Sequence, residues 1–304
     1  MARLLVLGSA ARDTIEIEGE KDIQRNKLGG SGVYASYAGA FFTQTALICA
    51  VGADWDPQHT EILRDHGIDV DGIETRQNEN TLFWHALYLA DMNERRTKTI
   101  RPNAMGTSYL PVVPDSFKKI PYVFLANGSP TADTVLLQSV SKPKLVVADT
   151  IGRYLAEEKK EFLALLKRIN GLFLNDEEAA LLTGEHNATS AARKVLELGP
   201  SFVVIKHGSF GATFMSKDDV IYRIPAFPVE KVVDPTGAGD TFGGAFMGAL
   251  AQSDDVSSAA LARALEYATV VASFTVEAFS LDGLRRVTTK DIEKRVEAFR
   301  VMRI

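Results

Sequence analysis

Residues 234–246 read Asp-Pro-Thr-Gly-Ala-Gly-Asp-Thr-Phe-Gly-Gly-Ala-Phe, a turn of small residues that runs directly into an apolar segment. Such a turn can leave several backbone N–H groups unpaired and aimed at one spot. A helix starting there adds the positive end of its dipole, which suits a phosphate. Asp240 sits at the junction, placed to take a proton from a hydroxyl near the same phosphate. The N–H groups of Gly237, Ala238 and Gly239 would stabilise charge building on a transferring phosphoryl group. An anion cradle and a base are the minimum for moving a phosphoryl group onto an alcohol. The plainer reading of the string is a tight turn with an aspartate N-cap. Gly243-Gly244-Ala245 fit helix packing.

Two further strings carry polar groups at the end of an apolar run. Asn175-Asp-Glu-Glu178 follows Leu172–Leu174 and begins a helical pattern. It reads either as an N-cap with acidic first-turn residues or as a pair, Asn175 and Glu178, that holds Mg²⁺ through its waters. Lys206-His-Gly-Ser-Phe-Gly211 follows Phe202–Ile205. Gly208 and Gly211 would let a nucleotide lie against the turn with Lys206 near its phosphates; the alternative is a hairpin turn with a surface lysine. His207 reads as incidental, and because residue 207 is not glycine the string misses the Gly-x-Ser-x-Gly nucleophile elbow. The chain lacks Gly-x-x-x-x-Gly-Lys-[Ser/Thr], His-Glu-x-x-His and zinc-ligand spacing, so a P-loop enzyme and a zinc hydrolase are excluded.

The elements that must position these groups follow from hydrophobic patterning. Apolar runs at Leu4–Leu7, Ala46–Val51, Tyr122–Leu125, Leu145–Ala148, Leu172–Leu174 and Phe202–Ile205 read as buried strands. Helical patterns lie between them, near 31–41, 57–66, 131–138, 155–168, 176–183 and 188–198. Strands near 212–215 and 219–224 precede helical stretches at 239–276 and 289–299. This order predicts an α/β fold, a doubly wound and mostly parallel sheet with helices on both faces. Residues 12–20 alternate with period two, and 81–90 and 96–100 also favour strands, which predicts a second, small sheet serving as a lid. We expect one domain over 1–304 with lid segments at about 12–28 and 79–104. Trp84, His85, Arg101 and Asn103 are the lid-region residues within reach of a substrate, with sheet packing the competing reading for Trp84.

The 304 residues are 46% hydrophobic and 24% charged, which allows an ample core. A formal charge of −5 argues against a nucleic-acid surface. Cys49, the one cysteine, rules out an internal disulfide and reads as a buried inert thiol. No apolar run reaches membrane-spanning length and the first residues do not form a signal peptide, so we expect a soluble, cytoplasmic protein.

The 234–246 string resembles the signature of the ribokinase, or PfkB-type, carbohydrate kinase family, and other marks of that family recur in its order. They are Asp13, Gly29-Gly30 in Leu28-Gly-Gly-Ser-Gly-Val-Tyr-Ala-Ser, the Asn-x-x-Glu of Asn175–Glu178, and Gly208–Gly211. The resemblance covers nearly the whole chain. It implies a ribokinase-like fold and an ATP- and Mg²⁺-dependent kinase that places the γ-phosphoryl group on the hydroxymethyl of a sugar or sugar-like molecule. It also implies that the Asp13 carboxylate binds sugar hydroxyls, that the Gly29-Gly30 backbone lies close to the sugar, and that Thr269 and Ala272 border adenine. Asp234 and Thr236, with backbone around 274–279, match the region that binds a monovalent cation, K⁺, in some relatives. Two positions depart from the family: Tyr34 stands where Asn is usual, and Lys206 where many relatives have Thr. An aromatic Tyr34 either stacks on a substrate ring or fills the gap.

A free-sugar kinase leads and a nucleoside kinase follows, Tyr34 and Phe83 being the side chains that would flank a base. Outside that class stand a dinucleotide-binding oxidoreductase and a non-catalytic sugar-binding pseudokinase. Gly8-Ser-Ala-Ala-Arg-Asp lacks the glycine fingerprint the oxidoreductase needs after its first strand, and the intact Asp240 speaks against the pseudokinase. An exposed lid edge would let two copies pair as a homodimer.

Overall fold

The computed structural model describes residues 3–92, 95–101, 103–106 and 108–302. In chain order the strands are β1 (Leu4–Gly8), β2 (Ala11–Ile17), β3 (Gln24–Gly29), β4 (Thr45–Gly52), β5 (Ile68–Arg76), β6 (Leu82–Tyr88), β7 (Arg95–Ile100), β8 (Tyr122–Ala126), β9 (Leu145–Asp149), β10 (Gly171–Asn175), β11 (Phe202–Lys206), β12 (Ala212–Ser216) and β13 (Ile221–Ile224). The helices are α1 (Ser31–Ala40), α2 (Pro57–Asp65), α3 (Pro130–Ser139), α4 (Gly152–Glu157), α5 (Lys159–Leu166), α6 (Asp176–Thr183), α7 (Ala188–Leu198), α8 (Ala238–Ser253), α9 (Ser258–Thr275), α10 (Asp282–Arg285) and α11 (Thr289–Met302).

Nine strands form the larger sheet in the order β13-β12-β11-β10-β9-β8-β1-β4-β5. The pairs from β11 across to β5 are parallel, while β12 and β13 join antiparallel. Its central strands are apolar without alternation because helices cover both faces. Alternate residues then feed two cores. Val6, Leu47, Phe124, Phe173 and Val204 pack beneath α1, α8 and α9, whereas Leu7, Ile48, Leu125, Leu172 and Ile205 pack beneath α3, α5 and α7. On the first face α1 and α8 cross so closely that a Cβ on Gly244 would stand 2.0 Å from the Ala35 carbonyl oxygen, so packing does require that glycine.

The smaller sheet runs β3-β2-β6-β7. It is mixed, because β2 pairs with β6 in parallel and the other two pairs are antiparallel. Register places Asp13, Ile15, Trp84, Ala86, Tyr88 and Arg95 on one face. Ile15, Ala86 and Tyr88 form a small core there with Phe279. The lid segment expected at 79–104 includes residues 93, 94 and 102, which lie outside the described residues.

Two local expectations are corrected and one strand is added. The helix expected at 155–168 is two helices, α4 and α5, that meet at Glu158, whose φ of −124° is not helical. The stretch 239–276 divides into α8 and α9, with Asp254 in a left-handed conformation (φ 51°) ending the first and Ser257 capping the second. The edge strand β5, Ile-Asp-Val-Asp-Gly-Ile-Glu-Thr-Arg, went unrecognised because an edge position tolerates the acidic residues that break its apolar run. Among the described residues no helix is long and apolar enough to cross a membrane. Cys49 is buried and free, and burial pushes its thiol up to about 12.

Candidate active site

Parallel strands deliver their C-terminal ends to one edge of the sheet, where ligands bind in doubly wound folds. Four polar side chains stand there. Asn127 follows β8, while Asp149, Asn175 and Lys206 end β9, β10 and β11. Register pairs Ala126 with Asp149 and Asn175 with Lys206, while Asp149 lies beside Phe173, so β10 and β11 reach two residues further than β9 at this edge.

Opposite them α8 begins. Its N-cap is Gly237, left-handed at φ 77°, and a Cβ there would stand 2.4 Å from the Tyr34 ring. The position therefore needs glycine for both conformation and space. The Ala238 N–H turns back onto the Pro235 carbonyl at 3.2 Å. Of the three amides expected to form the cradle, this one is engaged. The N–H groups of Gly239 and Asp240, in the first turn where helices leave such groups unpaired, meet no backbone acceptor among the described residues. Thr275 Oγ1 donates to Thr241 Oγ1 at 3.0 Å, which ties the end of α9 to this first turn.

Asp240 projects from that turn, and its Oδ1 accepts from Asn127 Nδ2 at 2.7 Å. Burial pushes its carboxyl up and the charge of Asp149 adds to this. Lys206, the Asn127 bond and Arg95 pull it back, leaving it at about 6. Lys206 Nζ lies 2.5 Å from Asp149 Oδ2 and 3.3 Å from where a Cβ on Gly239 would be. Burial opposes the lysine's charge, but Asp149, Glu178 and Asp240 outweigh it and hold the ammonium above its ordinary value. An ammonium thus faces the start of α8, where the surface lysine of a hairpin turn would have pointed to solvent.

Asn175 and Glu178 form a capping box: Asn175 Oδ1 accepts from the Glu178 N–H and Glu178 Oε2 from the Asn175 N–H, both at 2.8 Å. Glu178 is buried as well, and burial followed by the charge of Asp149 raises its carboxyl to about 7. Asp13 is buried against Gly29, with Oδ2 1.9 Å from the site of a Gly29 Cβ. Its carboxyl is raised well above the usual range, by burial first and then by Asp234 and Asp240. The smaller sheet reaches the same corner. Tyr88 Oη and Thr236 Oγ1 are 2.9 Å apart, and Arg95 is hydrogen-bonded to Tyr88.

The other expected residues take the following places. Tyr34 is 2% exposed and packs against Gly237, so it fills the gap under the turn. Phe83 and His85 lie on the sheet face opposite Asp13 and Tyr88, where Arg101 stacks on Phe83 at 4.4 Å and His85 bonds Glu16 at 2.8 Å. Tyr34 and Phe83 therefore do not flank one ring. Trp84 is on the inner face, bonded to Thr97. Asn103 spends its amide on its own loop, donating to the Arg101 carbonyl and accepting from the Met105 N–H. Gly208 and Gly211 both have positive φ; a Cβ on Gly211 would strike the Ile224 carbonyl, whereas Gly208 faces open space. Thr269 is buried and Ala272 half-buried on α9. His207 bridges Asp176 and Thr213, a structural duty. Asp234 is buried and accepts from the Thr236 N–H at 2.9 Å.

Sequence reasoning missed Asn127, Asp149, Tyr88 and Arg95. For the first two a signal existed: each is a polar residue that ends an apolar strand run.

Comparison with known proteins places the chain. Residues 1–283 match the profile described as pfkB family carbohydrate kinase. The cytidine kinase of Thermococcus kodakarensis is 26% identical over 258 residues, 81% of this chain and 88% of that protein. The nucleoside kinase of Methanocaldococcus jannaschii, a member of the ribokinase family, superposes with a TM-score of 0.79 at 21% identity, covering 97% of this chain and 98% of that one. Arabidopsis thaliana ribokinase, solved with ribose and ATP, gives 0.77 at 24% identity over the same shares. The fold is the ribokinase fold, and the chain belongs to the pfkB family of carbohydrate kinases as an ATP-dependent phosphotransferase whose acceptor is the alcohol group of a sugar-like molecule.

Proposed function

We propose that Asp240 is the general base that takes the proton of a primary hydroxyl on a free sugar, while the first N–H groups of α8 receive the γ-phosphoryl group of ATP. The observation that carries this is the meeting, at one helix start, of a carboxylate held at about 6 with unpaired backbone N–H groups and the Lys206 ammonium. A base with a pKa near working pH is ionised often enough to act and basic enough to pull. Backbone donors and Lys206 would take the charge that spreads over the phosphoryl oxygens. Asp13 would accept from sugar hydroxyls beside the Gly29-Gly30 backbone. The turn at Gly208 would carry the nucleotide towards Thr269 and Ala272. The lid, which carries Asp13, Tyr88 and Arg95 on its inner face, would exclude water.

The residues present fit Mg²⁺. Glu178 and Asp149 are buried carboxylates that burial, first of all, shifts upward; Asp149 adds to the shift of Glu178 and Lys206 opposes both, so a nearby cation would relieve the cost of their charge. Mg²⁺ retains water and uses few protein oxygens, so Asn175 and Glu178 would hold it through its waters, where it neutralises charge on the phosphates. A monovalent cation fits less well, since Asp234 already accepts from Thr236 and Ser280 and Thr236 Oγ1 is bonded to Tyr88. Dependence on ATP points to the cytoplasm. The β7 edge, exposed at every residue, is where a second copy would pair, and sedimentation that finds only monomer at micromolar concentration removes that reading.

The test is a panel of hexoses, pentoses, inositol and nucleosides with ATP and Mg²⁺, run on the wild type and Asp240→Ala. Turnover should fall by ~10²–10⁴-fold in the variant while ATP still binds; near-normal turnover contradicts the role. A nucleoside acceptor is the second reading, favoured by the cytidine kinase that aligns over 81% of this chain. It leads if nucleosides alone turn over. Binding of a sugar without phosphorylation would favour the pseudokinase.

A further inference from the structure

We infer that Asn127 is a positioning residue for the proposed phosphoryl transfer: its amide clamps one oxygen of Asp240 so that the other faces the acceptor hydroxyl. The inference rests on the reading of Asp240 as base. Three observations at one residue carry it. Asn127 Nδ2 donates to Asp240 Oδ1 at 2.7 Å, across 113 positions of sequence. Its backbone is left-handed, with φ 57°. Its own Oδ1 is buried and has no hydrogen-bond partner among the described residues.

The second and third of these are costs. Left-handed backbone is unfavourable for a residue with a Cβ, and asparagine only reduces the penalty. An unpaired buried carbonyl loses its hydration with nothing in return. A glycine would turn the chain between β8 and α3 without either cost, and Gly128 stands next in the chain. What glycine lacks is the amide that reaches Asp240. Strain and an orphaned polar atom that coincide beside a reactive group are typical of a side chain kept for its reach.

The chemistry explains the need. A carboxylate on a helix start can rotate about its last bond, so either oxygen, or neither, faces the acceptor. A fixed donor on Oδ1 settles the plane and leaves Oδ2 for the proton. It also favours the ionised form, because an N–H donor bonds better to a carboxylate than to a carboxylic acid. Other groups act on the same carboxyl: Asp149 from β9, Lys206 from β11, Arg95 from β7, and Asp13 and Tyr34 from β2 and α1. Among them Asn127 is the neutral donor that bonds it directly.

The experiment compares the wild type with Asn127→Gly and Asn127→Asp, using steady-state kinetics from pH 5 to 9 with the acceptor found in the panel. Asn127→Gly keeps the backbone freedom and loses the clamp, so kcat should fall by about 10²-fold, the scale of a misplaced reacting group, with KM for ATP within about twofold. The acid limb of kcat/KM should move to higher pH. Asn127→Asp keeps side-chain size and tolerance of the left-handed backbone but sets a second carboxyl against Asp240. Its acid limb should move further than that of Asn127→Gly. A kcat within about twofold of wild type in Asn127→Gly, or an acid limb unmoved in both variants, overturns the inference. A merely structural role would lower the melting temperature and leave the pH profile in place, which also overturns it. Asp240→Ala in parallel separates the two readings. If that variant keeps its turnover, the base assignment falls; if it is dead while the Asn127 variants behave as wild type, only the present inference falls.

Discussion

Replacing Asp240 by Asn should inactivate the enzyme and stabilise the ligand-free fold, and the second effect can be worked from the site. Burial and the neighbouring Asp149 raise the Asp240 carboxyl from 3.8, its ordinary value, to about 6. A carboxyl raised in the folded state favours folding while it is protonated and opposes it once ionised. The penalty is therefore small below about pH 4, grows between 3.8 and about 6, and is complete above that. At pH 8 it is about 3 kcal/mol, an upper bound because the side chain keeps a partly solvated edge. Asn127 can still donate to the amide oxygen of the substituted side chain, so no bond need be lost. With an unfolding entropy of about 2.1 cal/mol/K per residue over 304 residues, the gain corresponds to a rise of about 5 °C in melting temperature. The assay is thermal melting of wild type and Asp240→Asn, free of nucleotide, at half-unit steps from pH 4 to 8. The curves should meet near pH 4 and part by about 5 °C at pH 8. A variant that melts no higher than wild type at pH 8, or a gap that does not change with pH, would refute the account of Asp240 as a buried, electrostatically crowded carboxylate.

The glycines of the turn should separate by role. Gly237→Ala meets the Tyr34 ring at 2.4 Å and an unfavourable φ, so soluble yield and melting temperature should collapse. Gly239→Ala meets only the movable Lys206 ammonium at 3.3 Å, so it should fold, and calorimetry should show ATP affinity lowered by at least tenfold; equal damage to the fold in both would contradict the assignment. Lys206→Met should strip the positive charge that holds Asp149, Glu178 and Asp240 ionised. The acid limb of kcat/KM should rise above about 6, and at neutral pH the unpaired, buried Asp149 should destabilise the variant by about 3–5 kcal/mol. Melting that matches wild type at pH 8 would show that the pair carries no such burden.

How much of this was legible in the sequence depended on whether one stretch of chain carries a whole feature. The start of α8 holds the turn, the cap and Asp240 within a few residues, and Asn175 and Glu178 close a capping box on themselves, so both could be read locally. The central strands were legible because burial on both faces leaves unbroken apolar runs, and α6 and α7 because each opens with its own N-cap, Asn175 and Asn187, and buries one face. The strands of the smaller sheet were legible too, but not which of their side chains face the site, because register decides that. The unbroken parallel pairing of β2 with β6 puts Tyr88 inward and His85 outward, and an extra residue in β7, opposite the step from His85 to Ala86, sets Arg95 beside Tyr88. A shift of one residue would exchange those faces, and nothing in 81–90 fixes the shift. Asn127 and Asp149 fall between these cases. Each is a single polar residue with no motif around it, yet each ends a strand that the apolar pattern had already marked as parallel and buried. In such a sheet the first polar residue after an apolar run stands at the ligand edge by topology alone. That rule, applied to four consecutive strands, gathers Asn127, Asp149, Asn175 and Lys206 without any family resemblance, and it reaches as far as the sheet does: Arg95, whose charge bears on Asp240 and Glu178 from the smaller sheet, lies beyond it.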